Sequence, residues 1–172
     1  PYGSSKLMSE RIIQDIAKVS ELNFFILRYF NVAGCDLLNR SGQMHVNATH
    51  LIKVCVECAL KKREKVEIFG NQHQTKDGTC VRDYIHISDL ISGHLIALEH
   101  LLNNGNSDIC NLGYGKGYSV LEIVNQAKKL SGNNFHVKFS QSRDGDPPIL
   151  ISNSKKMKDL YKWKPKYNDI DK

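Results

Sequence analysis

The feature that most constrains the fold is an alternation of short apolar runs with amphipathic helical patterns. Apolar runs predict strands at 24–30, 66–69, 84–87, 109–112 and 135–139. Helical periodicity predicts helices at 4–19, 48–63, 88–102, 119–130 and 154–161. Strands alternating with helices predict an α/β fold with at least some parallel pairing. The strands are too few for a complete doubly wound domain, so we expect the tail of one sheet plus a smaller appended domain.

The chain has 172 residues, enough for one compact domain. It starts at Pro1 without an initiator methionine. We therefore expect the numbering not to begin where the natural protein does. No apolar run reaches the ~20 residues of a membrane helix, and no secretory signal is visible.

Charge points weakly to anionic partners. The net charge is +6, with the basic residues dispersed. Such a balance suits an anionic small molecule as well as nucleic acid. The densest basic group, Lys61 to Arg63, closes a helical pattern, where cations complement a helix C-terminus. We interpret it as a solvated helix end and expect no nucleic-acid binding.

The cysteine pattern favours free thiols. Five cysteines, an odd number, without a secretory signal fit a reducing compartment. Cys55 and Cys58 form a C-x-x-C motif inside a helical run, but no second pair follows. Zinc needs two further ligands, so we expect no metal site.

Tyr2 and Lys6 form the sharpest local motif. Residues four apart on a helix are neighbours. A phenol with its usual pKa of ~10 is a poor base at neutral pH. Because a nearby ammonium favours the phenolate, the pair can exchange a proton with a sugar hydroxyl. The same spacing also occurs in ordinary surface pairs.

A glycine run follows a predicted strand. Gly113, Gly115 and Gly117 precede a helix, which resembles a dinucleotide-binding turn. The spacing is wrong, because the fingerprint G-x-G-x-x-G has two residues between its last glycines. We interpret the run as a loop with unusual dihedral angles that can line a ligand.

Two polar segments offer anion-binding groups. Arg82 precedes a strand and can bind phosphate, or else pair with Asp83 or Asp89. His86 in the same segment is interpreted as a structural histidine. A second segment carries Arg143 and Asp146 in a turn, which can contact phosphate and a ribose hydroxyl or simply be solvated.

Taken in order, these segments resemble the UDP-glucose 4-epimerase family. The matching motifs are P-Y-G-S-S-K-L (1–7), L-R-Y-F-N-V-A-G (27–34), T-H-L-I (49–52), I-F-G-N (68–71), D-G-T-C-V-R-D-Y-I-H-I-S-D-L (77–90), N-L-G-Y-G-K-G-Y-S-V (111–120) and R-D-G-D-P (143–147). The resemblance covers nearly the whole chain, and the motif at 77–90 is the most specific. T-H-L-I resembles one bacterial branch, whereas other members have asparagine at the position of His50.

The resemblance implies an extended short-chain dehydrogenase/reductase with a Rossmann domain and a smaller sugar-nucleotide domain. Residues 1–172 would be its C-terminal portion, truncated at both ends. The cofactor would be NAD, the substrate a UDP-hexose, the location cytoplasmic and the assembly a homodimer built on the tyrosine-bearing helix. Neither nucleic acid nor membrane is an expected partner.

The resemblance also assigns residue roles. Tyr2 would be the catalytic acid/base and Lys6 its activator, both in contact with the cofactor, and Phe30 would lie near the nicotinamide. The implied substrate contacts are Asn31, His50, Leu51, Phe69 beside the uracil, Arg82 and Arg143 on the diphosphate, Asp146 on the ribose and Leu150 beside the hexose. Together they imply inversion at C4 through a 4-keto intermediate.

Two parts of the family pattern are absent from this sequence. The glycine-rich cofactor turn and the serine or threonine that assists the tyrosine both precede the tyrosine in the family. The family also continues past the position of Lys172. We therefore expect residues 1–172 alone neither to bind NAD stably nor to turn over, and epimerisation by these residues alone would contradict this.

Leu150 leads to an expectation about substrate range. A tyrosine at this position in the family excludes N-acetyl sugars, and leucine is smaller. We expect some epimerisation of UDP-N-acetylglucosamine.

Other readings stay open. A 4,6-dehydratase, a uronate decarboxylase or a uronate epimerase shares the tyrosine, the lysine and NAD. A non-catalytic sugar-nucleotide sensor is a further alternative, against which intact Tyr2 and Lys6 speak. Residues preceding Pro1 would discriminate between these readings.

Overall fold

In a computed structural model that describes residues 2–170, helices and strands alternate along the chain. The elements are α1 (Tyr2–Lys18), β1 (Phe25–Tyr29), β2 (Asn31–Ala33), α2 (Leu51–Ala59), β3 (Lys65–Phe69), β4 (Val81–His86), α3 (Ile87–Leu102), β5 (Asp108–Leu112), β6 (Gly117–Ser119), α4 (Val120–Ser131), β7 (His136–Ser140), β8 (Ile149–Leu150) and α5 (Lys155–Tyr161). The predicted α/β class is confirmed. Pro1, Asp171 and Lys172 lie outside the described residues.

The strands form three small sheets. β1 pairs with β5, and β3 pairs with β7, both in parallel. In the third sheet β4 is central: β2 and β8 join it in parallel and β6 joins it antiparallel. The expected parallel pairing is therefore present.

Two hydrophobic clusters hold the described residues together. One packs α2 and α4 against β3 and β7, with Val66, Ile68 and Val124 almost fully buried. The other lies between α3, α5 and strands β4 and β5, with Leu112 and Trp163 at its centre. The β3–β7 and β1–β5 pairs thus each have their own apolar cover, as strands with buried faces require.

Local sequence explains the clearest helix boundaries. Ser119 and Glu122 form a capping box at the start of α4, and Gly132 ends it with φ 65°. α2 is shorter than the predicted 48–63: it begins after its N-cap His50 and ends at Ala59, with Leu60 as the C-cap. The basic group at 61–63 therefore lies beyond the helix and not in its last turn.

Three short strands differ from the sequence prediction. Residues 31–33 were expected in a loop but form β2, Gly117 was expected in a glycine loop but begins β6, and β8 was not predicted. These strands have only two or three residues each, too few for a periodic pattern. Their hydrogen-bond partner, β4, is distant in sequence, so only the fold creates them.

Helix α1 is amphipathic as predicted, but its apolar side is uncovered. None of its residues is buried, and Met8 and Ile12 expose 62% and 57% of their surface. An ion pair between Glu10 and Arg28 ties the helix to β1.

No helix among residues 2–170 is long and apolar enough to cross a membrane. All five cysteines are free thiols, as expected.

Candidate active site

A cavity of about 750 Å³ collects most of the predicted site residues. Its lining consists of Tyr2, Tyr29, Phe30, Asn31, Val32, Gly34, Cys35, Asp36, Ser41, Gly42, Gln43, His50, Leu51, Ile52, Arg82, Tyr84, Ile87 and Leu150. These residues come from α1, the β1–β2 segment with the loop after it, α2, β4, α3 and β8. A single concave surface built from so many segments is the usual form of a small-molecule site.

Tyr2 and Lys6 lie on one face of α1. The Lys6 ammonium is 5.4 Å from the centre of the Tyr2 ring. Tyr2 lines the cavity and still exposes 78% of its surface, whereas Lys6 lies outside the lining. The pair can therefore present a phenol to the cavity with a cation beside it.

Arg82 is held by the loop before β8. Its guanidinium donates to the Pro147 carbonyl at 2.8 Å and forms an ion pair with Asp146 at 3.3 Å. Of the alternatives expected from the sequence, neither Asp83 nor Asp89 forms an ion pair with Arg82 among residues 2–170. Asp146 is thus adjacent to the cavity through Arg82, although it does not line it.

Phe69 and Arg143 form a separate pair at the end of β3. The guanidinium carbon of Arg143 is 3.8 Å from the centre of the Phe69 ring. Neither residue lines the cavity. A guanidinium on an aromatic face is a favourable cation–π contact, and the same ring face suits a nucleobase.

His50 and Leu51 lie at the start of α2. The His50 ring contacts Gln43 at 2.6 Å through Nδ1, and the Gln43 carbonyl accepts from Lys53 at 3.0 Å. These contacts fix the loop at 41–43 against the helix. Sequence reasoning did not identify Gln43, because nothing in its local pattern distinguishes it.

Asn31, Phe30 and Leu150 complete the predicted lining. The Asn31 amide donates to the Asp83 carbonyl at 3.3 Å. Leu150 pairs with Arg82 across β8 and β4. Backbone pairing therefore places an apolar side chain next to the cation that lines the cavity.

His86 is structural, as predicted. Its Nδ1 accepts from the Ser88 amide at 3.1 Å and caps α3. Burial lowers the pKa of His86, and the Asp89 charge opposes this shift. A neutral imidazole is the form that can accept the capping hydrogen bond.

The glycine run does not line this cavity. The amides of Tyr114 and Gly115 donate to the Asp83 carboxylate at 3.2 and 3.0 Å. Of the glycines at 113, 115 and 117, only Gly115 has a positive φ, +73°. The expected ligand-lining loop is therefore a binding site for an internal carboxylate.

Sequence reasoning also missed several lining residues in the segment after β2. Cys35 and Asp36 belong to this group. The Arg40 guanidinium donates to the Asp36 carboxylate across this turn at 2.8 Å and lowers the pKa of that carboxyl to about 2. The sequence signal that could have indicated these lining residues is a loop with two glycines, Gly34 and Gly42, shortly after a strand.

The residues on the α1 side fit a planar cofactor. Phe30 exposes 37% of its surface and Tyr2 78%, although both line the cavity. Their rings can pack against a nicotinamide, and Lys6 can donate to a ribose hydroxyl. No group of three or more possible metal ligands occurs among residues 2–170.

The cysteines give a prediction that tests the cavity wall. Cys35 is exposed, whereas Cys55, Cys58, Cys80 and Cys110 are buried. Burial, with a smaller contribution from Cys58, raises the pKa of Cys55 to about 12. Since the thiolate is the reactive form, we expect Cys35 alone to react rapidly with a disulfide reagent such as DTNB at pH 8.

The measurement is a count of fast-reacting thiols in the native protein. Within residues 1–172, Cys35→Ser is expected to abolish the fast phase, with the labelled positions identified by peptide mass spectrometry. Fast labelling of Cys55, Cys58, Cys80 or Cys110 would contradict their burial.

Comparison with known proteins identifies the family that this chain matches. Residues 1–113 match the NAD dependent epimerase/dehydratase family. The UDP-glucose 4-epimerase of Azospirillum brasilense is 45% identical over 99% of this chain and 49% of its own length.

Solved structures of similar proteins agree with this family match. The UDP-Glc/GlcNAc 4-epimerase of Campylobacter jejuni is 48% identical with a TM-score of 0.77, over 99% of this chain and 52% of its own. The UDP-glucose 4-epimerase of Brucella ovis in complex with NAD is 37% identical with a TM-score of 0.93, over 99% and 53%. The chain thus spans about half the length of the relatives it matches, and it belongs to the NAD dependent epimerase/dehydratase family.

Proposed function

We propose that the complete protein is a UDP-glucose 4-epimerase, which interconverts UDP-galactose and UDP-glucose. The observation that carries this proposal is the cavity, because it joins Tyr2 on α1 to Arg82 on β4 and Leu150 on β8. A proton-transfer group, an anion-binding group and an apolar wall are what a sugar nucleotide requires. The relatives named above support the same reaction.

Binding is assigned to the cationic end of the site. Arg82 binds the substrate diphosphate, Arg143 binds the other phosphate, and the Phe69 ring packs against the uracil. Asp146 accepts from the uridine ribose. His50 and Leu51 contact the nucleotide, and Asn31 donates to the substrate. The support is the grouping of these side chains, since Arg82 lies beside Asp146 and Arg143 lies beside Phe69.

Chemistry is assigned to the α1 end. Tyr2, as a phenolate stabilised by the Lys6 ammonium, accepts the proton of the sugar 4-hydroxyl. NAD, when bound, supplies the acceptor and donor of a hydride at C4. Arg82 and Arg143 hold the diphosphate while the 4-keto sugar turns about it, and Tyr2 then returns its proton. Inversion at C4 results.

The test is interconversion of the two UDP-hexoses by the complete protein without added reductant. Equilibration from either side is expected. Consumption of UDP-glucose with release of a 4-keto-6-deoxy sugar would instead favour a 4,6-dehydratase. Binding without turnover would favour the non-catalytic sensor.

Leu150 gives a prediction on substrate range. Because leucine is shorter than tyrosine, we expect measurable epimerisation of UDP-N-acetylglucosamine by the wild type. Leu150→Tyr is expected to reduce kcat/KM for the N-acetyl sugar at least about tenfold, the scale of a steric change in a pocket, with UDP-galactose affected far less. Equal exclusion of the N-acetyl sugar by both proteins would contradict this role.

The remaining assignments concern organisation. We propose that residues 1–172 are the C-terminal portion of the enzyme, with the β1–β5 pair at the end of a Rossmann sheet and the β3–β7 pair in the sugar-nucleotide domain. The uncovered apolar face of α1 supports a homodimer built on that helix. Free thiols support the cytoplasm as its location.

A further inference from the structure

Asp83 is a fully buried carboxylate that compensates its charge with backbone amides. Only 1% of the residue is exposed. Its Oδ1 accepts from the Tyr114 amide at 3.2 Å, and its Oδ2 accepts from the amides of Gly115 at 3.0 Å and Ser152 at 3.1 Å. Hydrogen bonds to an ionised acceptor are the strong ones, so this site ties three segments together.

The glycine turn is shaped around this carboxylate. A Cβ on Gly113 would lie 2.7 Å from Asp83 Oδ2 and 2.5 Å from Ser152 Cβ. Gly115 adopts φ +73°, a conformation that other residues rarely take. Glycines at 113 and 115 therefore permit the approach of Asp83, which explains a motif that resembles a phosphate turn but faces inward.

The same carboxylate lies behind the cavity wall. Arg82 precedes Asp83 on β4, and side chains alternate along a strand, so Arg82 faces the cavity while Asp83 faces the interior. Ser152 follows β8, whose Leu150 lines the cavity. On the opposite side, the main-chain carbonyl of Asp83 accepts from the side-chain amide of Asn31 at 3.3 Å.

Strand β8 needs this anchor. It has only two residues, Ile149 and Leu150, and its pairing with β4 places Leu150 opposite Arg82. On the N-terminal side the Val81 amide donates to the Pro148 carbonyl at 2.8 Å. On the C-terminal side the strand is fixed by the bond from Ser152 to Asp83.

We propose that Asp83 is a positioning residue of the substrate site: its carboxylate sets the distance between Arg82 and Leu150 through β8 and the glycine turn. This inference rests on the proposed function for its substrate. It assigns Asp83 a role in substrate affinity and sugar selectivity, without contact to the substrate.

The decisive variant is Asp83→Asn in the complete protein. The amide keeps the volume of the side chain but turns an N–H₂ group towards at least one backbone amide, which then has no acceptor. Loss of this acceptor is expected to displace β8 and the glycine turn, and because small misplacements of binding groups cost up to about 10²-fold, we expect the KM for UDP-galactose to rise about tenfold or more. We expect kcat to stay within about threefold, because Tyr2 is on another element.

Asp89→Asn is the matched control. Asp89 is 2% exposed and accepts from the Tyr114 hydroxyl at 2.7 Å and from the amides of Lys166 and Tyr167, both at 2.8 Å. Tyr114 is shared with Asp83, but through its hydroxyl and not through its backbone amide. None of these partners lines the 750 Å³ cavity, and the bond from Ser152 to Asp83 is not among the bonds lost. Its substitution is expected to lower Tm while the KM stays unchanged.

A second measurement is the ratio of kcat/KM for UDP-N-acetylglucosamine to kcat/KM for UDP-glucose. If Asp83 positions Leu150, Asp83→Asn changes this kcat/KM ratio and Asp89→Asn does not. Loss of stability alone would move neither the ratio nor the KM. The inference is overturned if the two variants lower Tm alike and both keep the wild-type KM and ratio, or if Asp83→Asn lowers kcat alone.

Gly113→Ala decides the matter if Asp83→Asn does not fold. Its Cβ would press on both Asp83 and Ser152, so it is expected to raise the KM. Gly132→Ala is the control, because no atom lies within 4 Å of the added Cβ. Its φ of +65°, which Gly113 does not share, adds backbone strain at the end of α4 without a contact to the site. Equal KM values for the two alanine variants would overturn the inference.

Failure of the proposed function would look different. A wild-type protein that does not epimerise UDP-galactose would refute the proposed reaction. In that case the Kd for UDP, measured by calorimetry on the same variants, still tests Asp83: a weaker Kd in Asp83→Asn than in Asp89→Asn supports positioning, and equal values refute it.

Discussion

Tyr2→Phe is expected to lower kcat of the complete enzyme by about 10²- to 10⁴-fold, the usual contribution of a positioned acid/base. Only the hydroxyl is lost, so the ring can still pack against the cofactor and the KM for UDP-galactose is expected to stay within about twofold. Tyr2 lines the cavity and the Lys6 ammonium lies 5.4 Å from the centre of its ring, which supports the proposal that Tyr2 is the proton acceptor.

The control for this variant is Tyr118→Phe. Tyr118 is another tyrosine with a lysine over its ring, Lys116 at 4.8 Å, but it lies outside the 750 Å³ cavity. It is expected to keep wild-type kcat. A Tyr2→Phe enzyme with more than a tenth of wild-type kcat would assign the proton transfer to another group.

Arg82→Met is expected to raise the KM for UDP-galactose by about 10- to 150-fold, the range for one hydrogen bond to a charged group. Its side chain is 13% exposed, so little solvent screens its charge. Arg82→Lys is expected to recover part of the affinity, because a lysine keeps the charge without the bidentate fork. Initial-rate kinetics over a range of UDP-galactose concentrations measure both.

Arg63→Met is the matched control for Arg82. Arg63 donates to the Ala48 carbonyl at 3.1 Å and pairs with Glu57 at 3.6 Å, outside the cavity. It is expected to leave the KM unchanged. An unchanged KM in Arg82→Met would contradict the assignment of the substrate diphosphate to this end of the cavity. Together the tyrosine and arginine variants separate chemistry from binding.

The sequence was sufficient for the parts of the fold that local patterns determine. The helical periodicity at 119–130 corresponds to α4, where Ser119 and Glu122 supply the cap. The apolar run at 66–69 corresponds to β3, since its residues alternate between buried and exposed positions. Long elements with their own start signals are predictable for this reason.

Contacts between distant segments were not predictable in the same way. Arg82 pairs with Asp146 instead of a neighbouring carboxylate, because β8 brings the loop at 143–148 against β4. Likewise, Asp83 fills the glycine turn 31 residues later in the chain. Neither contact leaves a periodic trace in sequence, so both depend on strand pairing that only the fold specifies.

The candidate site likewise has one part that the sequence predicted and another that it did not. Motif resemblance identified Tyr2, Phe30, Asn31, His50, Leu51, Arg82 and Leu150, which all line one cavity. It could not indicate that Arg143 lies on the Phe69 ring. Nor could it identify Gln43, whose contact to His50 depends on how the loop folds back.

The most direct measurement of the central claim follows the hydrogen at C4 of the sugar. The complete protein is given UDP-galactose deuterated at C4, and the UDP-glucose formed is analysed by NMR and mass spectrometry. Inversion with Tyr2 as acid/base and hydride return at C4 predicts full retention of deuterium at that carbon. Loss of the label, or uptake of deuterium at C4 in a parallel reaction in D₂O, would contradict the mechanism.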